Sequence, residues 1–179
     1  MKQLYTPLIV LVFIGITFFA MNNSVESKEE RSQRLGIQAK LGTALFQHWS
    51  SYEVISDLAN TQITIENITK IEEALTSADY PSMEVDDITR EKLLKPINEH
   101  LLNLISILQD HYNKNGHFSF EDEQIYETIF TEVQKTAELK SEVYYVPDHQ
   151  EDVRPNHNIK HFDELEKINE RLTFLLSNY

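Results

Sequence analysis

Apolar residues recur at helical spacing along most of the chain, and in one stretch they run together without a break. Leu41, Leu45, Trp49, Tyr52, Ile55 and Ala59 step by 4, 4, 3, 3 and 4, which keeps them on one face of a helix. Leu35 and Ala39 extend that face backward, and the spacing predicts a first helix over about 27–59, a segment without proline. A shorter second helix is expected over 64–78, with Thr64 as its cap and Ile65, Ile68, Ile71 and Leu75 following at helical spacing. Asp79-Tyr80-Pro81-Ser82 then reads as a turn. A third helix is expected to open near Asp86 or Asp87 and to carry Leu93, Ile97, Leu101, Leu104, Leu108 and Tyr112. Pro96 falls inside it and should kink or break it, because its ring removes a hydrogen bond to residue 92; Gly116 should end it. Ser119 and Asp122 form a near capping box for a fourth helix, with Glu121 and Glu123 at the positive end of its dipole. Ile125, Ile129, Val133 and Ala137 give that helix its stripe, and Phe130 widens it. Residues 147–158 hold two prolines among polar side chains and read as an exposed loop. A last helix is expected from Ile159 to about Ser177, capped by Asn158. Its Phe162, Leu165, Ile168, Leu172, Leu175 and Tyr179 step by 3, 3, 4, 3 and 4, close to a heptad seam.

The unbroken run lies at the N-terminus. Leu4 to Met21 is 18 residues of almost wholly apolar sequence, and no charge occurs from Gln3 to Val25. A helix of 18 to 20 apolar residues covers a bilayer's hydrocarbon core. Lys2 precedes the run and the mixed, net-negative segment Glu26–Arg31 follows it, so the positive-inside bias places the N-terminus in the cytoplasm and the rest outside. A cleaved signal peptide competes with a retained anchor. Ala20 suits the residue before a cut, but Phe18 is bulky where a small residue is needed, and the run is longer than a signal peptide's apolar core. The expected organisation is a membrane segment over 1–25 and an acidic extracytoplasmic helical domain over 26–179. The fold class is all-α, a transmembrane or signal helix followed by a bundle-like domain of four to five helices.

Composition removes several functions. The 16 Lys+Arg against 29 Asp+Glu give a formal charge of −13, which argues against nucleic acid as a partner. There is no cysteine, hence no disulfide, thiolate metal site or cysteine nucleophile. The four glycines, Gly15, Gly36, Gly42 and Gly116, build neither a phosphate-cradling loop nor a nucleophile elbow. None of the seven histidines has a carboxylate three residues before it, so the Glu-x-x-His pairs of di-iron bundles are absent, and H-E-x-x-H is absent too. No catalytic residue, metal ligand or cofactor site is assigned, and the chain is not expected to be an enzyme.

Three constellations remain. His111 to Asp122 resembles an EF-hand loop, with Asn113, Asn115, Gly116, Phe118 and Ser119 at its third, fifth, sixth, eighth and ninth positions. It departs from that pattern with His111 at the first position and Asp122 in place of Glu at the twelfth. A helix stop at Gly116 and a helix start at Ser119 account for the same residues. His157 and His161 are four apart at a helix start, too few ligands for a zinc site without Asp152 or Glu164 joining them. His48 lies on the apolar face of the first helix, where it is either a buried structural histidine or a pH sensor. Asn22-Asn23-Ser24 and Asn67-Ile68-Thr69 match the glycosylation pattern, which is common by chance.

The expected function is a non-enzymatic protein–protein interaction module. It would be held on the bilayer by residues 4–21 and would meet a second protein through the stripe Leu165, Ile168, Leu172 and Leu175 of the last helix. The alternatives are a helical sensor for a small ligand or cation and a secreted domain released by cleavage. Intact-mass measurement on separated membrane and medium fractions distinguishes the anchored chain from the released one. A full-length mass in the membrane alone is expected, whereas a mass beginning near Met21 in the medium identifies the secreted form.

Overall fold

A computed structural model describes residues 28–59, 61–144, 159 and 161–179. These residues form five helices and no strand: α1 (Lys28–Asp57), α2 (Ile65–Thr89), α3 (Leu94–Asn115), α4 (Phe120–Val143) and α5 (Asp163–Leu176). The expected membrane segment Leu4–Met21, the cap Asn158 and the 147–158 loop lie outside the described residues. Among the described residues no helix is long and apolar enough to cross a membrane. Contacts divide the chain between Gly36 and Ile37. Residues 28–36, the opening of α1, are exposed apart from half-buried Leu35.

Within residues 37–179 the helices bury the faces that their spacing requires. Ile97, Leu101, Leu104, Ile105 and Leu108 of α3 lie in the core with Ile68, Ile71 and Leu75 of α2, Ile125, Ile129 and Val133 of α4, and Leu165, Ile168 and Leu172 of α5. Each fully buried Leu or Ile contributes roughly 1.5–3 kcal/mol. Backbone approaches within 8 Å join α3 to α2, α4 and α5, and α4 to α5. The α1 helix adds Leu41, Leu45, Trp49, Tyr52 and Ile55 to the same core. Its ties across to other helices include the Lys40–Glu84 ion pair at 2.9 Å and the Lys140 ammonium 5.8 Å from the centre of the Trp49 ring.

The expected turn at Asp79–Ser82 is absent. The α2 helix runs through Pro81, which is buried, and continues to Thr89. The reason lies in the periodicity. Ile68, Ile71, Leu75, Ala78, Ser82, Val85 and Thr89 step by 3 and 4 in strict alternation and are all buried. That burial outweighs the hydrogen bond lost at proline. The two hydroxyls in the stripe enter the core satisfied, Ser82 Oγ donating to the Ala78 carbonyl at 2.7 Å and Thr89 Oγ1 to that of Val85 at 2.8 Å.

The chain turns later, at Arg90, which takes a left-handed conformation (φ 64°). The third helix therefore begins at Leu94, not near Asp86, and Pro96 falls in its first turn. There its missing N–H has no carbonyl to pair with, so neither the expected kink nor a break is imposed. Asp86 instead stays in α2 and serves the next helix: its carboxylate accepts from the backbone N–H of Leu93, Leu94 and Lys95 at 3.1, 3.0 and 2.9 Å. Burial pushes the Asp86 carboxyl up to about 6, against the pull of those three donors.

The other helix ends follow the sequence closely. Thr64 caps α2 by accepting from Asn67 N–H at 3.2 Å. Gly116 closes α3 at φ 72°, its N–H donating to the Tyr112 carbonyl at 2.7 Å. Ser119 and Asp122 make a full capping box. The α5 helix starts four residues later than expected, at Asp163, because His161 takes a left-handed conformation (φ 56°) just before it.

Asp86→Ala strips three helix-start N–H groups of their acceptor. It is expected to cost about 2 kcal/mol in urea denaturation, within the range for losing a cap or a buried acceptor.

Candidate functional site: a groove between the fourth and fifth helices

The seam of α5 fixes where this site lies. Leu165, Ile168 and Leu172 point inward and are buried, while Leu175 is half-buried against the core. The partner that these side chains meet is the chain's own core. One residue off the seam, Phe174 points outward and is 71% exposed. Beside it α4 and α5 leave a groove of about 440 Å³, lined by Thr128 and Glu132 of α4 and by Glu170, Arg171, Leu172, Phe174 and Leu175 of α5. Leu172, Phe174, Leu175 and the carbon stems of its polar residues make the exposed surface of the groove mostly apolar.

An ion-pair cluster closes one wall. Glu132 is buried, and its carboxylate accepts from Arg171 through Nε at 3.1 Å and Nη2 at 2.6 Å, in the two-pronged geometry that suits a guanidinium. Lys135 Nζ adds a third bond at 3.0 Å. Burial pushes the Glu132 carboxyl up, but Arg171 and Lys135 outweigh it and hold the group below its ordinary value. Both carboxylate oxygens are therefore engaged, and the group ties α5 to α4 beside the groove.

The remaining candidate residues serve structure. His111 Nδ1 lies 2.6 Å from Asp122 Oδ1, and Asp122 Oδ2 accepts from Ser119 N–H at 2.7 Å and from Ser119 Oγ at 2.9 Å. Burial raises the Asp122 carboxyl, but the bonds from Ser119 and His111 outweigh it and hold the group low. Both oxygens of Asp122 thus tie the α3–α4 junction together, and the resemblance to a calcium loop reduces to a helix stop and a helix cap. Among the described residues no three His, Asp or Glu side chains converge as metal ligands. His161 is exposed, and His157 lies outside the described residues. The Asn67 amide donates to Thr61 Oγ1 at 3.1 Å and to the Gln62 carbonyl at 3.0 Å, so it is engaged in the α1–α2 connection.

A larger groove of about 800 Å³ lies between that connection and α4, lined by Thr61, Gln62, Glu123, Tyr126, Glu127 and Gln134 among others. Its lining is mostly polar, and size alone does not make it a site. The α4–α5 groove joins apolar surface to a charged wall, the combination that a docking surface uses. Of the residues lining this groove, sequence reasoning singled out Leu172 and Leu175 and not Phe174, Glu132 or Arg171. Glu132 and Arg171 are 39 residues apart and no local pattern pairs them. The outward displacement of Phe174 from the seam was the one available signal. No protein-family model, curated protein or solved structure matches this chain.

Glu132→Gln and Arg171→Met, singly and together, measure the wall. A coupling energy of about 1–2 kcal/mol is expected from a double-mutant cycle in urea, and it should fall away as the pH drops below the ordinary glutamate value. The sign follows from the shift: Glu132 is held low in the folded state, so its contribution is present above that value and lost below it.

Proposed function

We propose that the chain is a non-enzymatic interaction module, anchored in a membrane by residues 4–21 and holding a second protein outside it through the α4–α5 groove. The observation that carries this reading is the groove itself, an apolar recess flanked by an exposed phenylalanine on an otherwise acidic surface. Its volume suits one or two side chains of a partner, so the partner reads as a short amphipathic segment with an aromatic or aliphatic anchor. Charge sets the rest. Glu170 lines the groove, Glu166 is exposed on the same helix, and the whole chain carries −13. A cationic segment is drawn to that acidic surface, and a second copy of the chain is repelled by it. Support for the anchor is the uncharged apolar run from Leu4 to Met21, with Lys2 before it and the acidic segment after it.

Phe174→Asp tests the site without disturbing the core, since the side chain is exposed. Crosslinking the full chain in membranes is expected to give an adduct with a basic protein that weakens with added salt and disappears in the variant, while the far-ultraviolet circular dichroism stays unchanged. An adduct formed equally well by the variant would remove the groove as the docking site.

A further inference from the structure

The inward face of α1 holds a cluster that the groove does not use. His48, Trp49 and Tyr52 are buried with their rings in contact, the centroids 4.7 Å apart for His48–Trp49, 4.2 Å for His48–Tyr52 and 6.0 Å for Trp49–Tyr52. Among the described residues, neither ring nitrogen of His48, nor the Trp49 indole N–H, nor the Tyr52 hydroxyl meets a hydrogen-bond partner. A buried polar group without a partner opposes burial, so α1 docks with less surplus stability than its apolar face alone suggests. Among the described residues, the charged groups that neighbouring helices bring to α1 are few. Glu84 and Asp87 of α2 act on Lys40, Lys70 and Glu73 of α2 line a groove with Ser50, Ser51 and Val54, and Lys140 of α4 sits over Trp49. None of them offsets the burial of His48, which holds its imidazole down, to about 3.

We propose that α1 is an acid-released helix: on acidification residues 37–57 leave the core formed by α2 to α5, and His48 takes up a proton as it becomes exposed. The sign follows from linkage. His48 is neutral while docked and has its ordinary affinity for protons once released, so docking is at full strength above about pH 6.5 and weakens as the pH falls toward 3. Asp86 acts in the opposite direction. Its carboxyl is raised in the folded state, so acid favours the α2–α3 turn through part of the same window. Mild acid therefore loosens α1 while leaving the α2–α3 pair in place, and a released α1 presents Leu41, Leu45, Tyr52 and Ile55 to new contacts.

Hydrogen exchange of the full chain at pH 7.5 and pH 5.0, read by mass spectrometry and corrected for intrinsic exchange rates, tests this. The opening equilibrium of α1 amides is expected to rise about 30-fold at pH 5.0, with α3 amides changing less than about threefold. In His48→Phe the rise in α1 should vanish, and His48→Met serves in its place if the phenylalanine does not fit. The proposal is overturned by α1 and α3 opening together, by a rise in α1 below about threefold, or by a variant that keeps the full rise. The comparison of α1 with α3 in the wild-type chain decides the matter even if neither variant folds.

Discussion

The arrangement depends on how α2 hands the chain to α3, and one buried carboxylate controls that step. Asp86 belongs to the last turn of α2, yet its acceptors satisfy the first N–H groups of α3 at Leu93, Leu94 and Lys95. A helix start buried without acceptors would leave those groups unpaired in the core. With them paired, Arg90 can take its left-handed turn and α3 can fold back along α2. The course of α3 then matters for the rest, because its backbone also approaches α4 and α5. The capping box at Ser119 and Asp122, braced by His111 from α3, repeats the device at the next junction.

With those junctions set, the α4–α5 groove is a product of packing. The buried seam of α5 is consumed by the core, and what it leaves outside is Phe174, Glu170 and the stem of Arg171. The ion pair of Arg171 with Glu132 joins the two helices beside the recess. On the proposed reading, the acidic surface around it would select by charge, acting mainly on encounter rate and partner choice.

The α1 helix is built differently. Its inward face contains three neighbouring aromatic rings whose polar atoms find no partner among the described residues, where the stripe of α2 buries hydroxyls that bond back to their own helix. The contrast separates a helix that is fastened from one that is held mainly by apolar area. Burial without compensation is also what makes His48 sensitive to protons, since among the described residues no carboxylate reduces the cost of charging it in place.

The sequence by itself determined the helices, because a spacing of three and four residues can bury one face only in a helix. It also set the caps at Thr64, Gly116 and Ser119, because capping is chemistry among neighbours in the chain. It misplaced the break between α2 and α3. Proline at 81 looked like a terminator, and only the buried stripe running on to Thr89 shows that packing outweighed it. It pointed to the inward seam of α5 as a contact surface, and the fold turned that seam into core and left Phe174 outside. The pairing of Glu132 with Arg171, the reach of Asp86 to the next helix and the isolation of the His48 ring were decided only by the tertiary structure. Each depends on which side chains meet, or fail to meet, across distances that no local pattern encodes.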